Sequence, residues 1–326
     1  MRFAHVIDRL IEAPVATSFT TVGYRLRQQL ADWTPLTDYD LTGHTVAITG
    51  PTSGLGEASA RQLAAMNASL VLIARNEAKV SALADELDDL GSGEMSTVVA
   101  DLGDHDAVRA AAAEMAKDST PLRALLHNAG ALFNERRENG AGMELTTAVQ
   151  VVSPFILTTA LLPRLEAADP GRVITMSSGG MYSTGLRVGS LQMDADGYKG
   201  TEQYARCKRA QVTLNEVWAE KLADRPVRFH ALHPGWADTP GVDEALPTFG
   251  KIVGPLLRSP EEGADTMSWL AADDGAPIAS NGEFWLDRAT RSIHKLPTTK
   301  RTDTPERRQE LWDWVVEASG VGDPVA

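Results

Sequence analysis

From residue 44 onward the chain alternates short apolar runs with longer amphipathic stretches, and no other feature narrows its fold so far. The runs 44–49, 69–74, 96–100, 122–127, 172–177, 227–233 and 283–286 have strand length, and several are apolar at successive positions. Continuous apolar runs suit parallel strands covered on both faces, because a half-exposed strand alternates polar and apolar residues. Between them, the stretches 55–66, 77–90, 104–117, 143–168, 202–222 and 260–271 repeat apolar residues at helical spacing. Alternation of this kind builds βαβ units. It predicts an α/β fold, a doubly wound (Rossmann), mostly parallel seven-stranded sheet with helices on both faces. A last helix starts where Thr304 can cap and Pro305 fits the first turn, and it runs through Trp312 and Trp314.

Residues 1–40 read as an N-terminal helical extension, 41–295 as the strand–helix domain, and 296–326 as a C-terminal helical segment of that domain. In the extension Phe3, Val6, Ile7, Leu10 and Ile11 recur at helical spacing before Pro14. Such a helix packs on the main domain; the sharper alternative is a peripheral membrane contact through residues 1–30.

Hydrophobic residues make up 43% of the chain, enough for a substantial core. The net charge is −13, which repels phosphate backbones and argues against a nucleic-acid partner. A small nucleotide is different, being bound by local backbone geometry. The lone Cys207 permits no intramolecular disulfide and no thiolate zinc site, and it suits a reducing compartment. No apolar run approaches the roughly 18 residues of a membrane span. Arg2, Asp8, Arg9 and Glu12 interrupt any signal-peptide apolar region. The expectation is a cytoplasmic protein. His127, His230 and His233 lie on or at strand ends without a ligand-like cluster, so no metal site is expected.

In a doubly wound sheet, ligands bind beyond the carboxyl ends of the strands. The first strand ends in Thr49-Gly50-Pro51-Thr52-Ser53-Gly54-Leu55-Gly56 and leads directly into a helix. Glycines there permit a tight turn and close backbone approach to a pyrophosphate, while the helix N-terminus offers N–H donors and a positive dipole. The spacing is Gly-x-x-x-Gly-x-Gly rather than Gly-x-Gly-x-x-Gly. Later strand ends carry Asn128-Ala129-Gly130, Ser177-Ser178-Gly179 and Pro234-Gly235-Trp236-Ala237-Asp238-Thr239, and a helix carries Tyr204-Ala205-Arg206-Cys207-Lys208.

Five motifs in this order resemble the short-chain dehydrogenase/reductase superfamily. The stretches 173–181, 204–211, 233–242 and Gly263-Ala264-Asp265-Thr266 are similar to its dehydrogenase/reductase member-12 branch. The resemblance implies catalytic Ser178, Tyr204 and Lys208. It also implies a dinucleotide held by Gly50, Ser53, Gly54, Leu55, Gly56, Asn128, Ala129, Gly130, Tyr204, Lys208, Pro234, Gly235 and Thr239. Asp101 and Leu102 would flank its adenine. The family places an asparagine in a water-bearing proton relay where this chain has Gln150, whose extra methylene shifts or weakens that relay.

Residue physics supports part of this independently. Tyr204 and Lys208 are four apart on a helix and share a face. A cation beside a phenol favours phenolate, and lowering the phenol pKa by ~3 units takes ~4 kcal/mol of differential interaction. Ser178 would orient a substrate carbonyl beside the Tyr204 hydroxyl. After the second strand the chain reads Ile73-Ala74-Arg75-Asn76, with an arginine and no acid. Arg75 suits a ribose 2′-phosphate, so the expected cofactor is NADP(H).

The expected function is hydride transfer between NADP(H) and a small-molecule carbonyl or alcohol. Met181, Tyr182, Leu186, Leu191, Met193, Leu246, Phe249, Leu256 and Leu257 suggest a lipophilic pocket. Two rivals use the same motifs: a catalytically weak dinucleotide-binding protein acting through partners, favoured by Gln150, and an epimerase or dehydratase on the same fold. The resemblance implies pairing of the 143–168 and 202–222 helices across a two-fold axis. Because both terminal segments could cover that surface, the expected state is a monomer or homodimer.

Overall fold

The computed structural model describes residues 18–91, 93–239 and 254–325. Seven strands run parallel: β1 (Thr45–Thr49), β2 (Ser69–Ala74), β3 (Met95–Val99), β4 (Leu122–His127), β5 (Gly171–Met176), β6 (Val227–Leu232) and β7 (Glu283–Leu286). The sheet order is β3-β2-β1-β4-β5-β6-β7-β8, so the winding reverses between β1 and β4. The seven expected strands are present. The eighth, β8 (Ala289–Thr290), adds antiparallel to β7 and is too short to leave a periodicity in the sequence.

The helices are α2 (Gly54–Ala65), α3 (Glu77–Asp88), α4 (His105–Met115), α5 (Ser153–Glu166), α6 (Gly200–Lys221), α7 (Pro260–Ala272) and α8 (Pro305–Ser319), preceded by α1 (Thr21–Ala31). Local chemistry starts several of them. Asn76 accepts from the Lys79 N–H at 2.9 Å, and Asp104 accepts from the Asp106 and Ala107 N–H groups. Ser259 and Glu262 form a reciprocal capping box. Thr304 caps α8 ahead of Pro305.

Because successive strand residues face opposite sides, each strand feeds two cores. Ala47, Leu125, Val173 and Phe229 pack with residues of α4, α5, α6 and α8. Val46, Ile48, Leu72, Leu126, Ile174 and Leu232 pack with α2, α3 and α7. Every residue of β4 and β5 is buried, including the polar Arg123, His127, Arg172 and Thr175.

Two sequence expectations are adjusted. The helix expected over 143–168 runs continuously from Leu145 to Glu166, but its regular α geometry is broken by a π-helical turn at Ala148–Val152 that leads into α5. Pro154 explains the break: it has no N–H to offer the Gln150 carbonyl four residues earlier. The Gln211 side-chain amide donates to that carbonyl instead, at 2.7 Å. The expectation that no stretch has membrane-spanning length and hydropathy is also corrected. Leu145–Glu166 does: an 18-residue window of it has a mean hydropathy of 1.7, although 72% of that window is buried inside the protein as part of a core helix. The helix read at residues 3–11 lies outside the described residues, as do residues 1–17 of the 1–30 segment to which a membrane contact was assigned.

Candidate active site

The glycine turn is held by the strand beside it. Gly50 and Gly54 adopt φ of +65° and +55°, a region open to glycine at little cost. A Cβ on Gly56 would collide with the Gly50 carbonyl and the Asn128 side-chain amide. Asn128 Nδ2 donates to the carbonyls of Thr49 and Gly50, both at 3.1 Å. Thr49 Oγ1 accepts from the N–H groups of Asn128 (3.1 Å) and Ala129 (3.0 Å). Asn128 thus staples β1 to β4 at the winding reversal. Thr49 was not singled out from the sequence, although its place immediately before Gly50 was a usable signal. Ser53 precedes α2 without a side-chain cap bond, leaving the first-turn N–H groups of Gly54, Leu55 and Gly56 without that partner. A strained glycine cradle beneath an uncapped helix start fits a dinucleotide pyrophosphate.

Arg75 is exposed beyond β2 and makes no ion pair among the described residues. Asp101 is exposed and accepts from the Gly103 N–H at 2.8 Å. The Leu102 side chain packs in the core beside it. Gly130 is exposed, and Pro234 and Thr239 are half-buried. Gly235 has a φ of +80° and lies so close to the Arg258 guanidinium that a Cβ would clash with it.

Ser178 follows β5 and caps a short 3₁₀ turn, its Oγ accepting from the Gly180 N–H at 3.2 Å. A Cβ built on Gly180 would sit 3.6 Å from Ser178 Oγ and 3.8 Å from the Tyr204 ring, so the two side chains flank that glycine. One turn along α6, Lys208 is buried, donates to the Met176 carbonyl at 2.8 Å, and places Nζ 5.3 Å from the Tyr204 ring centre. Gln150 is fully buried; its Nε2 donates to the Ala131 carbonyl at 2.7 Å, while its Oε1 has no partner. A Cβ built on Gly130 would sit 3.4 Å from Gln150 Nε2 and 3.5 Å from Lys208 Nζ, so both amide and amine flank that glycine. Ser178, Tyr204, Lys208, Gln150 and Gly130 therefore meet at the carboxyl edge of β4 and β5.

The electrostatics correct the ammonium–phenolate pair expected from sequence. Burial pushes the Tyr204 phenol up to about 12, with the Ser178 side chain opposing it. Burial pushes Lys208 down to about 7. Both shifts favour the neutral forms, because burial strips each charged form of water.

Other candidates fall into place around this group. Burial pushes the Cys207 thiol up to about 12, making it an inert core residue. His127 hydrogen-bonds Thr158 at 2.8 Å, and burial pushes it down to about 3, so it is neutral. The expected lipophilic pocket is largely core instead. Met181, Leu186 and Leu191 are buried in packed clusters, Leu256 is exposed, and Leu246 and Phe249 lie outside the described residues. An open groove of about 750 Å³ lies at the amino ends of β6 and β7, lined by Arg228, Asn281 and Arg291, and touches none of the site residues. Its chemistry does not match the motifs, so it is not the candidate site.

Residues 44–248 match the short chain dehydrogenase family. The chain is a short-chain dehydrogenase/reductase. It is 36% identical over 275 residues to human dehydrogenase/reductase SDR family member 12, covering 84% of this chain and 86% of that one. Bos taurus retinol dehydrogenase 12 is 28% identical over 319 residues, covering 96% of this chain and 99% of the relative. Among solved structures, L-sorbose reductase from Gluconobacter frateurii, complexed with NADPH and L-sorbose, superposes with a TM-score of 0.63 at 20% identity. That match covers 76% of this chain and 96% of the reductase, and it shows the shared fold. This short-chain dehydrogenase/reductase is therefore an oxidoreductase built on the family's single sheet.

Proposed function

We propose that the protein interconverts a carbonyl and an alcohol with NADP(H), working as a reductase. The observation that carries this reading is buried Lys208 with its Nζ 5.3 Å from the Tyr204 ring, and Ser178 Oγ and that ring flanking the same glycine, Gly180. When bound, NADPH supplies the hydride. Tyr204, protonated at neutral pH, donates its proton to the substrate oxygen as that oxygen gains charge. Ser178 Oγ hydrogen-bonds the same oxygen and fixes the carbonyl beside the phenol. Lys208, held near neutrality, is able to carry charge that stabilises the phenolate left behind. Gly50, Ser53, Gly54, Leu55 and Gly56 would hold the pyrophosphate, Asn128, Ala129 and Gly130 would flank the site, and Pro234, Gly235 and Thr239 would meet the nicotinamide end. Arg75 supports the choice of NADP(H): it is exposed and free of competing carboxylates among the described residues.

The substrate class we favour is a lipophilic aldehyde or ketone. It is supported by the relative named retinol dehydrogenase 12. A monomer or homodimer fits the C-terminal segment, where Trp312 of α8 packs on Phe155 and Trp218 and covers one face of α5 and α6. A cytoplasmic location fits the lone buried thiol.

One observation favours the rival, a dinucleotide-binding protein with little turnover: the buried Gln150, with its extra methylene, stands where the family carries the relay asparagine. A panel following NADPH oxidation with aldehydes, ketones and quinones separates the two. Turnover with any of these carbonyls supports the reductase. Tight NADPH binding with no turnover across the panel selects the rival.

A further inference from the structure

We infer that helix α1, within the segment that precedes the family-matched region, is a positioning element of the active site, acting through Arg27 on the turn Pro234–Thr239. This rests on reading that turn as the nicotinamide end of the NADP(H) site. The link is a buried charge cluster. Asp287 accepts Arg258 Nη1 at 2.6 Å on Oδ1, and Arg258 Nη2 at 2.9 Å and Arg27 Nη1 at 2.6 Å on Oδ2. All three side chains are at most 4% exposed.

Both guanidiniums then reach backbone on either side. Arg27 donates to the Ser18 carbonyl and hydroxyl, both at 2.9 Å. Arg258 donates to the Ser18 carbonyl at 3.2 Å and to the Pro234 carbonyl at 3.1 Å. The backbone closes the same gap: the Trp236 N–H donates to the Phe19 carbonyl at 2.7 Å. Phe19, buried, sets its ring edge against His233 at 4.3 Å and against Trp236 at 5.8 Å. It also lies 3.3 Å from a Cβ built on Gly179, the residue after Ser178.

The backbone at Asp287 marks the cluster as more than incidental packing. Asp287 and Arg288 form the two-residue turn between β7 and β8 with φ of +54° and +53°. That left-handed pair normally calls for Asn-Gly, since other side chains strain it. Here the two side chains are what hold it, Asp287 by the arginines and Arg288 by Asp265 at 2.7 and 2.8 Å. Burial, with Arg258, Lys295 and Arg27 adding to it, keeps His233 well below its usual pKa and neutral beside this cluster. The region ahead of the family-matched residues therefore fixes where the turn bearing Gly235 and Thr239 sits.

Arg27→Met on the full chain is the discriminating variant, because it leaves Arg258 and Asp287 as a balanced, doubly hydrogen-bonded pair and so spares the fold. Arg27→Lys keeps the charge but not the fork that reaches Ser18 and Asp287 together. Three readouts apply: hydrogen exchange at the Trp236 amide, NADPH affinity by fluorescence titration, and thermal midpoint. For Arg27→Met we expect Trp236 exchange faster by roughly tenfold and NADPH binding weaker by roughly tenfold, with Arg27→Lys between it and the wild type. A lowered thermal midpoint with wild-type Trp236 protection and wild-type NADPH affinity would overturn the inference, showing that Arg27 merely stabilises. Should Arg27→Met not fold, the same measurements on Arg27→Lys decide. A wild-type protein that does not bind NADPH would defeat the proposed function instead, and Trp236 exchange would still test the clamp.

Discussion

Replacing Gly56 with alanine places a methyl group against the Gly50 carbonyl and the Asn128 amide, both closer than 3.0 Å to the new carbon. Neither neighbour is free to retreat. Asn128 Nδ2 donates to the Thr49 and Gly50 carbonyls at 3.1 Å, and Gly50 is itself backed by Ala129. Relief requires moving the Asn128 amide and losing two hydrogen bonds, at about 1 kcal/mol each. Residual overpacking adds about 1–3 kcal/mol, while alanine's better helix propensity returns about 1 kcal/mol. The net is a destabilisation of about 2–4 kcal/mol, which lowers the thermal midpoint by several degrees. Because the displaced turn is the one proposed to cradle pyrophosphate, NADPH affinity should fall by at least about tenfold. Gly189→Ala serves as the control, since nothing lies within 4 Å of its Cβ and its φ is not left-handed. Calorimetry and NADPH titration on both variants settle the matter. A Gly56→Ala protein with wild-type midpoint and wild-type affinity would refute the reasoning.

Three further outcomes are expected. NADP(H) should bind at least about tenfold more tightly than NAD(H), and Arg75→Ala should remove most of that ratio; equal affinities in competitive titration would contradict the assignment. Lys208→Met should raise the thermal midpoint, most at acid pH and least near pH 10.5. The buried amine titrates at about 7 against 10.5 in the unfolded chain, so the cost of burying it is complete below about pH 7 and fades as pH approaches 10.5; a gain that grew with pH would have the wrong sign. Gln150→Asn should raise turnover without changing NADPH affinity if the longer amide impairs the relay, and single-turnover rates at saturating NADPH measure it.

Strand positions and the glycine turn were legible because each depends on nearest neighbours: short, mostly apolar runs such as Thr45–Thr49 and Ser69–Ala74, and Gly50, Gly54 and Gly56 at a strand-to-helix junction. Tyr204 and Lys208 were legible because helical spacing alone puts them on one face. What stayed hidden depends on distant partners. In α1, Gly23, Tyr24 and Arg27 are buried while Val22 is 51% exposed, an inversion of the usual pattern that becomes intelligible only once Asp287 is brought to Arg27. The π-helical turn hinges on Pro154 and on Gln211, which lies 61 residues from Gln150. Leu186 and Leu191 were read as pocket residues because nothing local says that α8 would pack over their cluster. The protonation of the Tyr204–Lys208 pair was misjudged because burial, which sets both shifts, has no signature in the spacing.

The central claim is that Tyr204 delivers the proton in a reduction run by this short-chain dehydrogenase/reductase. Single-turnover hydride transfer from saturating NADPH, with a carbonyl accepted in the oxidation panel, measures this directly in wild type and Tyr204→Phe. The substitution removes only the phenol hydroxyl and leaves the ring beside Lys208 in place. The expected result is a rate lower by ~10²–10⁴ with NADPH affinity unchanged. A Tyr204→Phe protein that transfers hydride at the wild-type rate would contradict the account.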